Sequence, residues 1–258
     1  MAKTIICSVA NQKGGVGKTT ITVMLSTLLR YENGKKILIL DADFQRSIAQ
    51  KRKKEIRQIM ASEEQLILFS RNLGINYDEL KGQSAKDMED TLTKAIDKKI
   101  YTVIECDPKN VMDYIKAWYG KVDYIFIDVP GNIRQEGIVN LLQRTELIMI
   151  PMVASELDID STAHFIKILG KIKKVREENG LSMSILGVLN KKTNKKKNQF
   201  LVEAMSKNRG IMLDAMIPLR VAKYDDQMST IYKSNDEYFK ELKEEFIQKT
   251  EKLQLVAQ

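Results

Sequence analysis

NQKGGVGKTT, residues 11–20, follows the apolar run TIICSVA at 4–10 and precedes a stretch where Ile21, Met24, Leu25 and Leu28 recur at helical spacing. A strand, a glycine-rich turn and a helix in that order make an anion site. Gly14, Gly15 and Gly17 let the backbone turn its N–H groups inward, and the first helical turn adds unpaired donors and the positive end of a dipole. A phosphate fits that description. Lys18 is then placed to reach β- and γ-phosphates, and the Thr19 hydroxyl to ligate Mg²⁺. The general pattern G-x-x-x-x-G-K-[ST] fails at its first glycine, where Gln12 stands, and the next residue is Lys13.

The 258 residues, 43% of them apolar, suffice for a sizeable core, and we expect one domain over 1–258. Apolar runs such as ILIL (37–40) and LIMIPMVA (147–154) fall far short of the roughly 20 residues that span a bilayer. TIICSVA runs into Gly and Lys, not into a cleavage site for export. A cytoplasmic protein with no membrane partner is therefore expected. Cys7 and Cys106 stand far apart in apolar stretches, which reads as two reduced core thiols. One histidine, His164, leaves almost no material for His-based metal sites or Ser-His catalysis. The formal charge of +8 permits an anionic partner without naming one.

Strand-length apolar runs fall at 4–10, 36–41, 65–69, 100–106, 122–128, 146–152, 183–189 and 211–217. Several lack alternation, as strands covered on both faces do. Helical patterns lie between them. One holds Ile21 to Leu28 and stops at Asn33-Gly34; others hold Met88, Leu92 and Ile96, or Tyr238, Phe239, Leu242 and Phe246. The alternation predicts a doubly wound α/β fold, a mostly parallel sheet of seven or eight strands with helices on both faces. Trp118 and the twelve methionines read as core.

KGGVGKTT, 13–20, resembles the deviant Walker A motif of the ParA/MinD family of P-loop ATPases. The resemblance implies a phosphate loop of Gly14, Gly15, Val16, Gly17, Lys18, Thr19 and Thr20, with ATP and Mg²⁺ as ligands. It implies further that Lys13 reaches across a nucleotide-sandwich homodimer to the partner's phosphates, which would couple ATP binding to association. ILILDADFQ, 37–45, is similar to the second family box, D-x-D-P-Q-G. Asp43 matches the carboxylate that positions the attacking water, and Asp41 the one ending the strand near metal and phosphates. The chain departs from that box at Phe44, Arg46 and Ser47. YIFIDVPG, 124–131, looks like the Walker B strand, with Asp128 holding Mg²⁺ through water. The resemblance implies that Pro130-Gly131 would then begin the segment that changes shape with nucleotide state. ELIMIPMVASELDI, 146–159, resembles the next family strand and its loop. GVLNKK, 187–192, and IPLRVAKYDD, 217–226, place Asn190 and Pro218 where relatives meet adenine.

The reaction so implied is slow hydrolysis of ATP to ADP and phosphate, with Lys13, Lys18 and Asp43 as its catalytic residues. The expected protein is a ParA-type switch that dimerises with ATP, binds DNA without sequence preference, and is reset by an activating DNA-binding partner protein. It would associate with the nucleoid when ATP-bound and serve partition of a plasmid, chromosome or mobile element. KKTNKKK (191–197) and KRKKEIR (51–57) are candidate phosphate contacts, or else solvated faces. No helix-turn-helix of the kind found on longer relatives is expected. A small-molecule ATP-dependent enzyme, or a conjugative-transfer or positioning ATPase, is the alternative on the same fold. The C-terminal stretch DEYFKELKEEFIQKTEK mixes acids and bases, as a helix packed on the sheet does rather than a membrane anchor.

Overall fold

The computed structural model describes residues 3–132, 135–192, 211–219 and 228–255. Its strands are β1 (Ile5–Val9), β2 (Ile37–Asp41), β3 (Thr102–Glu105), β4 (Tyr124–Asp128), β5 (Leu147–Met152), β6 (Ser184–Lys192) and β7 (Met212–Pro218). Among the described residues they form one sheet in the order β3-β2-β4-β1-β5-β6-β7, with every pair parallel. Every residue of β1, β2, β4 and β5 is buried. That is the burial a parallel strand with helices over both faces produces.

The helices are α1 (Lys18–Asn33), α2 (Ser47–Met60), α3 (Glu63–Leu73), α4 (Tyr77–Lys81), α5 (Ala85–Lys99), α6 (Val111–Trp118), α7 (Ile138–Arg144), α8 (Glu156–Glu178) and α9 (Glu237–Leu255). Strand side chains alternate between two cores. Tyr124 and Phe126 enter one beside α1 and α9, where Phe126 stacks on Phe246 at 5.6 Å, while Ile125 and Ile127 enter the other with residues of α6, α7 and α8. Trp118 packs against this second core, and His164 is exposed on α8. Cys7 and Cys106 are free and buried, and burial pushes the Cys106 thiol up to about 12.

One expected strand is a helix. Residues 65–69 lie inside α3, which Ser62 opens by accepting a hydrogen bond from the Gln65 N–H and Gly74 closes in the left-handed conformation. Leu66 and Phe69 share its buried face while Leu68 is exposed. Four consecutive apolar residues do not distinguish the two structures, and here the caps decide. The count among the described residues is thus seven strands, not eight.

The chain order 3-2-4-1-5 reverses direction at β1. Crevices open at such switch points beyond the strands' carboxyl ends. The parallel register sets Asp41 of β2 beside Asp128 of β4, and Asp128 beside Val9 of β1, at that edge.

Candidate functional site

Beyond these strand ends lies a cleft of about 740 Å³. Gly14, Gly15, Gly17, Lys18, Thr19, Thr20, Asp43, Asn190 and Pro218 all line it, so segments from four distant parts of the chain converge. The loop from 11 to 17 is short of side-chain bulk for a reason. Gly15 and Gly17 have φ of 71° and 95°, and a Cβ on Gly17 would lie 2.1 Å from Asn190 Nδ2. That contact exists because Asn190 Nδ2 donates to the Val16 carbonyl at 2.7 Å. Asn190 Oδ1 in turn accepts the Lys191 N–H. The amide therefore braces the phosphate loop and keeps one N–H and one lone pair for anything else.

Asn11, which sequence reasoning missed, fixes the other end of the loop. It is 1% exposed, accepts the Lys13 N–H at 3.0 Å, and donates to the Pro151 carbonyl at 2.8 Å and to Thr162 Oγ1 at 3.2 Å. Lys18 Nζ donates to the Lys13 carbonyl at 3.3 Å, across the turn. Gly131 presses on the same loop, since a Cβ there would stand 3.1 Å from the Gln12 carbonyl and 3.5 Å from Lys18 Nζ. Lys13 and Val16 belong to the loop but do not line the cleft, nor do Asp41 and Asp128 below it.

Asp128 is 1% exposed; its Oδ2 accepts the Thr19 hydroxyl at 2.7 Å and its Oδ1 has no partner. Burial drives its carboxyl up to about 7, against the lowering effect of the Thr19 bond. Asp41, fully buried, accepts the Ile48 and Ala49 N–H groups at Oδ2, at the start of α2, and its Oδ1 is likewise unpartnered. Its carboxyl is also raised, by burial first, with the two backbone bonds opposing. Much of Asp41 is thus spent on capping α2. Asp43 Oδ1 accepts the Gln45 N–H at 3.0 Å, an Asx turn at the cleft wall.

Two buried carboxylate oxygens without partners, beside a threonine hydroxyl and a lysine, suit a cation held through oxygen atoms. Among the described residues no three His, Cys, Asp or Glu side chains come together as a metal cage. A Mg²⁺ ion that keeps several waters and binds substrate phosphates needs none.

Phe44, Gln45, Ser47, Gln135, Lys191 and Leu219 also line the cleft without having been expected there. Phe44, Gln45, Ser47, Lys191 and Leu219 lie in or beside motifs read above, but nothing in those motifs says which of their side chains turn to the cleft. Of the two basic runs, residues 193–197 lie outside the described residues. The other, on α2, is largely neutralised: Lys51 pairs with Glu55, Lys53 with Glu105 and Arg57 with Glu89, while Arg52 is buried. No helix of the described residues is long and apolar enough to cross a membrane. Phe239, Leu242 and Phe246 of α9 are fully buried.

The model of the CobQ/CobB/MinD/ParA nucleotide binding domain matches residues 7–231. A plasmid partition protein from Borrelia burgdorferi bound to AMPPNP superposes with a TM-score of 0.62, at 21% identity over 96% of this chain and 100% of that one. The septum site-determining protein MinD of Pyrococcus horikoshii, complexed with Mg-ADP, gives 0.53 at 20% identity, covering 94% and 96%. In sequence, an uncharacterized protein of Methanocaldococcus jannaschii is 28% identical over 209 residues, 74% of each chain. With the glycine-rich loop, the paired strand-end acids and the fold in agreement, the chain belongs to the CobQ/CobB/MinD/ParA nucleotide-binding family, as a P-loop ATPase.

Proposed function

We propose that the chain is a ParA-type switch, which dimerises on binding ATP, holds DNA without sequence preference and is reset by a partner that speeds hydrolysis. The observation that carries this is Lys13, a second cation in a phosphate loop that already holds Lys18. Lys18 would stabilise charge on the γ-phosphate of the chain's own ATP, and Lys13 that on the second copy's. Gly14 to Thr20 would cradle the phosphates. Thr19 would hold Mg²⁺ directly and Asp128 through water; the ion would neutralise charge on the phosphates. Asp43, at the cleft wall, would orient water, while Asn190 and Pro218 would border the base. Positioning and electrostatics suffice for such a transfer. Likeness to plasmid partition proteins supports a partition role for a plasmid, chromosome or mobile element.

Sedimentation with ATP and Mg²⁺ tests the reading: the wild-type chain should shift from monomer to dimer and Lys13→Ala should stay monomeric. A Lys13→Ala chain that dimerises normally would overturn it. For DNA, Lys195, Lys196 and Lys197 are the candidate contacts left by the neutralised α2 cluster. Replacing all three should flatten the dependence of binding on salt. A second reading, a small-molecule ATP-dependent enzyme, takes support from the CobQ/CobB branch of the family. Turnover that rises with a small acid and an amine, and not with DNA and a partner protein, would favour it.

A further inference from the structure

Between the end of β2 and the start of α2 the chain makes a tight turn from Asp43 to Arg46, closed by the Arg46 N–H on the Asp43 carbonyl at 3.0 Å. Arg46 has φ 49° and ψ 38°, the left-handed conformation. Among the described non-glycine residues only Lys191 shares that sign of φ. A β-carbon is strained there, and glycine, which stands at this place in the box the sequence resembles, is not. Something must hold arginine in the strained form.

The guanidinium does so. Arg46 Nη1 donates to the Asp41 carbonyl at 2.6 Å and to the Cys106 carbonyl, so the side chain bridges the ends of β2 and β3. The Arg46 carbonyl meanwhile accepts the Gln50 N–H and begins α2. Each polar group on this residue's backbone is thereby committed, and Asp43 sits at the other end of the same turn. Its carboxylate is further fixed by the Gln45 N–H. A strained residue persists where its surroundings over-determine it, and such residues gather at functional sites.

We propose that Arg46 is a positioning residue for Asp43: it fastens the Asp43 turn to the ends of β2 and β3, so that the carboxylate faces the cleft before any partner binds. The inference rests on the reading of Asp43 as the acid that orients water. A glycine at this place would relieve the strain but remove the tie to the Asp41 and Cys106 carbonyls that this chain uses. Preset geometry is worth most in the chemical step, where a small misplacement of a water-orienting group lowers the rate steeply.

The test uses the full chain with ATP and Mg²⁺, measuring kcat and KM for phosphate release, equilibrium binding of a non-hydrolysable ATP analogue, and melting temperature. Arg46→Gly should keep analogue binding within about threefold of wild type and lower kcat at least about tenfold. Arg46→Lys, offering an ammonium in place of the fork, should fall between the two. An unchanged or raised kcat in Arg46→Gly overturns the inference. So does a parallel loss of kcat, analogue affinity and melting temperature, the mark of a structural role alone. Should Arg46→Gly not fold, Arg46→Lys decides by the same split between kcat and affinity. Asp43→Asn separates the two layers: wild-type turnover there would overturn the role given to Asp43. Loss of turnover in Asp43→Asn beside full activity in Arg46→Gly overturns the role of Arg46 alone.

Discussion

The Thr19 hydroxyl donates to Asp128 Oδ2 at 2.7 Å, joining the first turn of α1 to the end of β4 across 109 positions of sequence. The bond leaves Asp128 half satisfied, and burial holds its carboxyl at about 7 against an ordinary 3.8. Because the native chain then keeps this proton more tightly than the unfolded chain, the contribution to stability is full below about pH 4. It declines as pH rises to about 7, at about 1.4 kcal/mol per pH unit. Asp97, raised to about 6, and the raised carboxyls of Asp41 and Glu55 act in the same direction. The ligand-free wild-type chain should lose more stability between pH 5 and 7.5 than Asp128→Asn does. Thermal melts of the two across that range give the difference, and parallel curves would refute the assignment.

Gly17 and Gly14 should answer differently to alanine. At Gly17 a β-carbon meets both a φ of 95° and the Asn190 amide at 2.1 Å, whereas at Gly14 nothing lies within 4 Å. Gly17→Ala should cost more than about 2 kcal/mol and abolish binding of an ATP analogue. Gly14→Ala should melt within a few degrees of wild type. Equal melting temperatures for the two would contradict the loop geometry.

Asn11→Ala removes three hydrogen bonds at once and leaves the Pro151 carbonyl and the Lys13 N–H short of a partner. A loss of about 2–3 kcal/mol is expected in urea unfolding, against about 1 kcal/mol for Thr162→Val, which removes one. A cost below about 0.5 kcal/mol for Asn11→Ala would mean that the loop is held elsewhere.

Arg52 and Glu55 of α2 share one buried polar cluster. Arg52 donates to Thr230 Oγ1 at 3.0 Å, to the Thr230 carbonyl at 2.9 Å and to Asp97 at 3.2 Å, and lies 4.8 Å from the centre of the Tyr101 ring. Glu55 accepts the Thr230 N–H and hydroxyl. Removing Arg52 takes the cation away from Asp97 and the donors away from Thr230, which also holds Glu55, so Arg52→Met should cost about 3–5 kcal/mol. Combining it with Glu55→Leu should cost clearly less than the sum of the two single changes. Denaturant curves for the four proteins test this; strict additivity would show that the residues do not act together.

Much of the site was legible because its signals are local. Glycines with a lysine and a threonine between a strand and a helix describe their own chemistry, and the caps of α1 lie within a turn of the helix they bound. Asp41 and Asp128 could be read as strand-end acids. That Asp41 spends one oxygen on α2 could not, because nothing in DADFQ says how the chain turns after it. The run at 65–69 misled because four apolar residues satisfy both periods, and only Ser62 and Gly74 at its ends carried the answer.

The sequence by itself determined the glycine-rich loop between β1 and α1, the alternation of buried strands and helices, and the nucleotide-binding family, since periodicity and glycine placement act over a few residues. The tertiary structure alone decided which distant groups complete the site. Asn190 reaches Val16 over 174 positions and Arg46 reaches Cys106 over 60. Such partners meet because parallel crossovers bring the carboxyl ends of non-consecutive strands to one edge of the sheet, and no property of either residue announces the other.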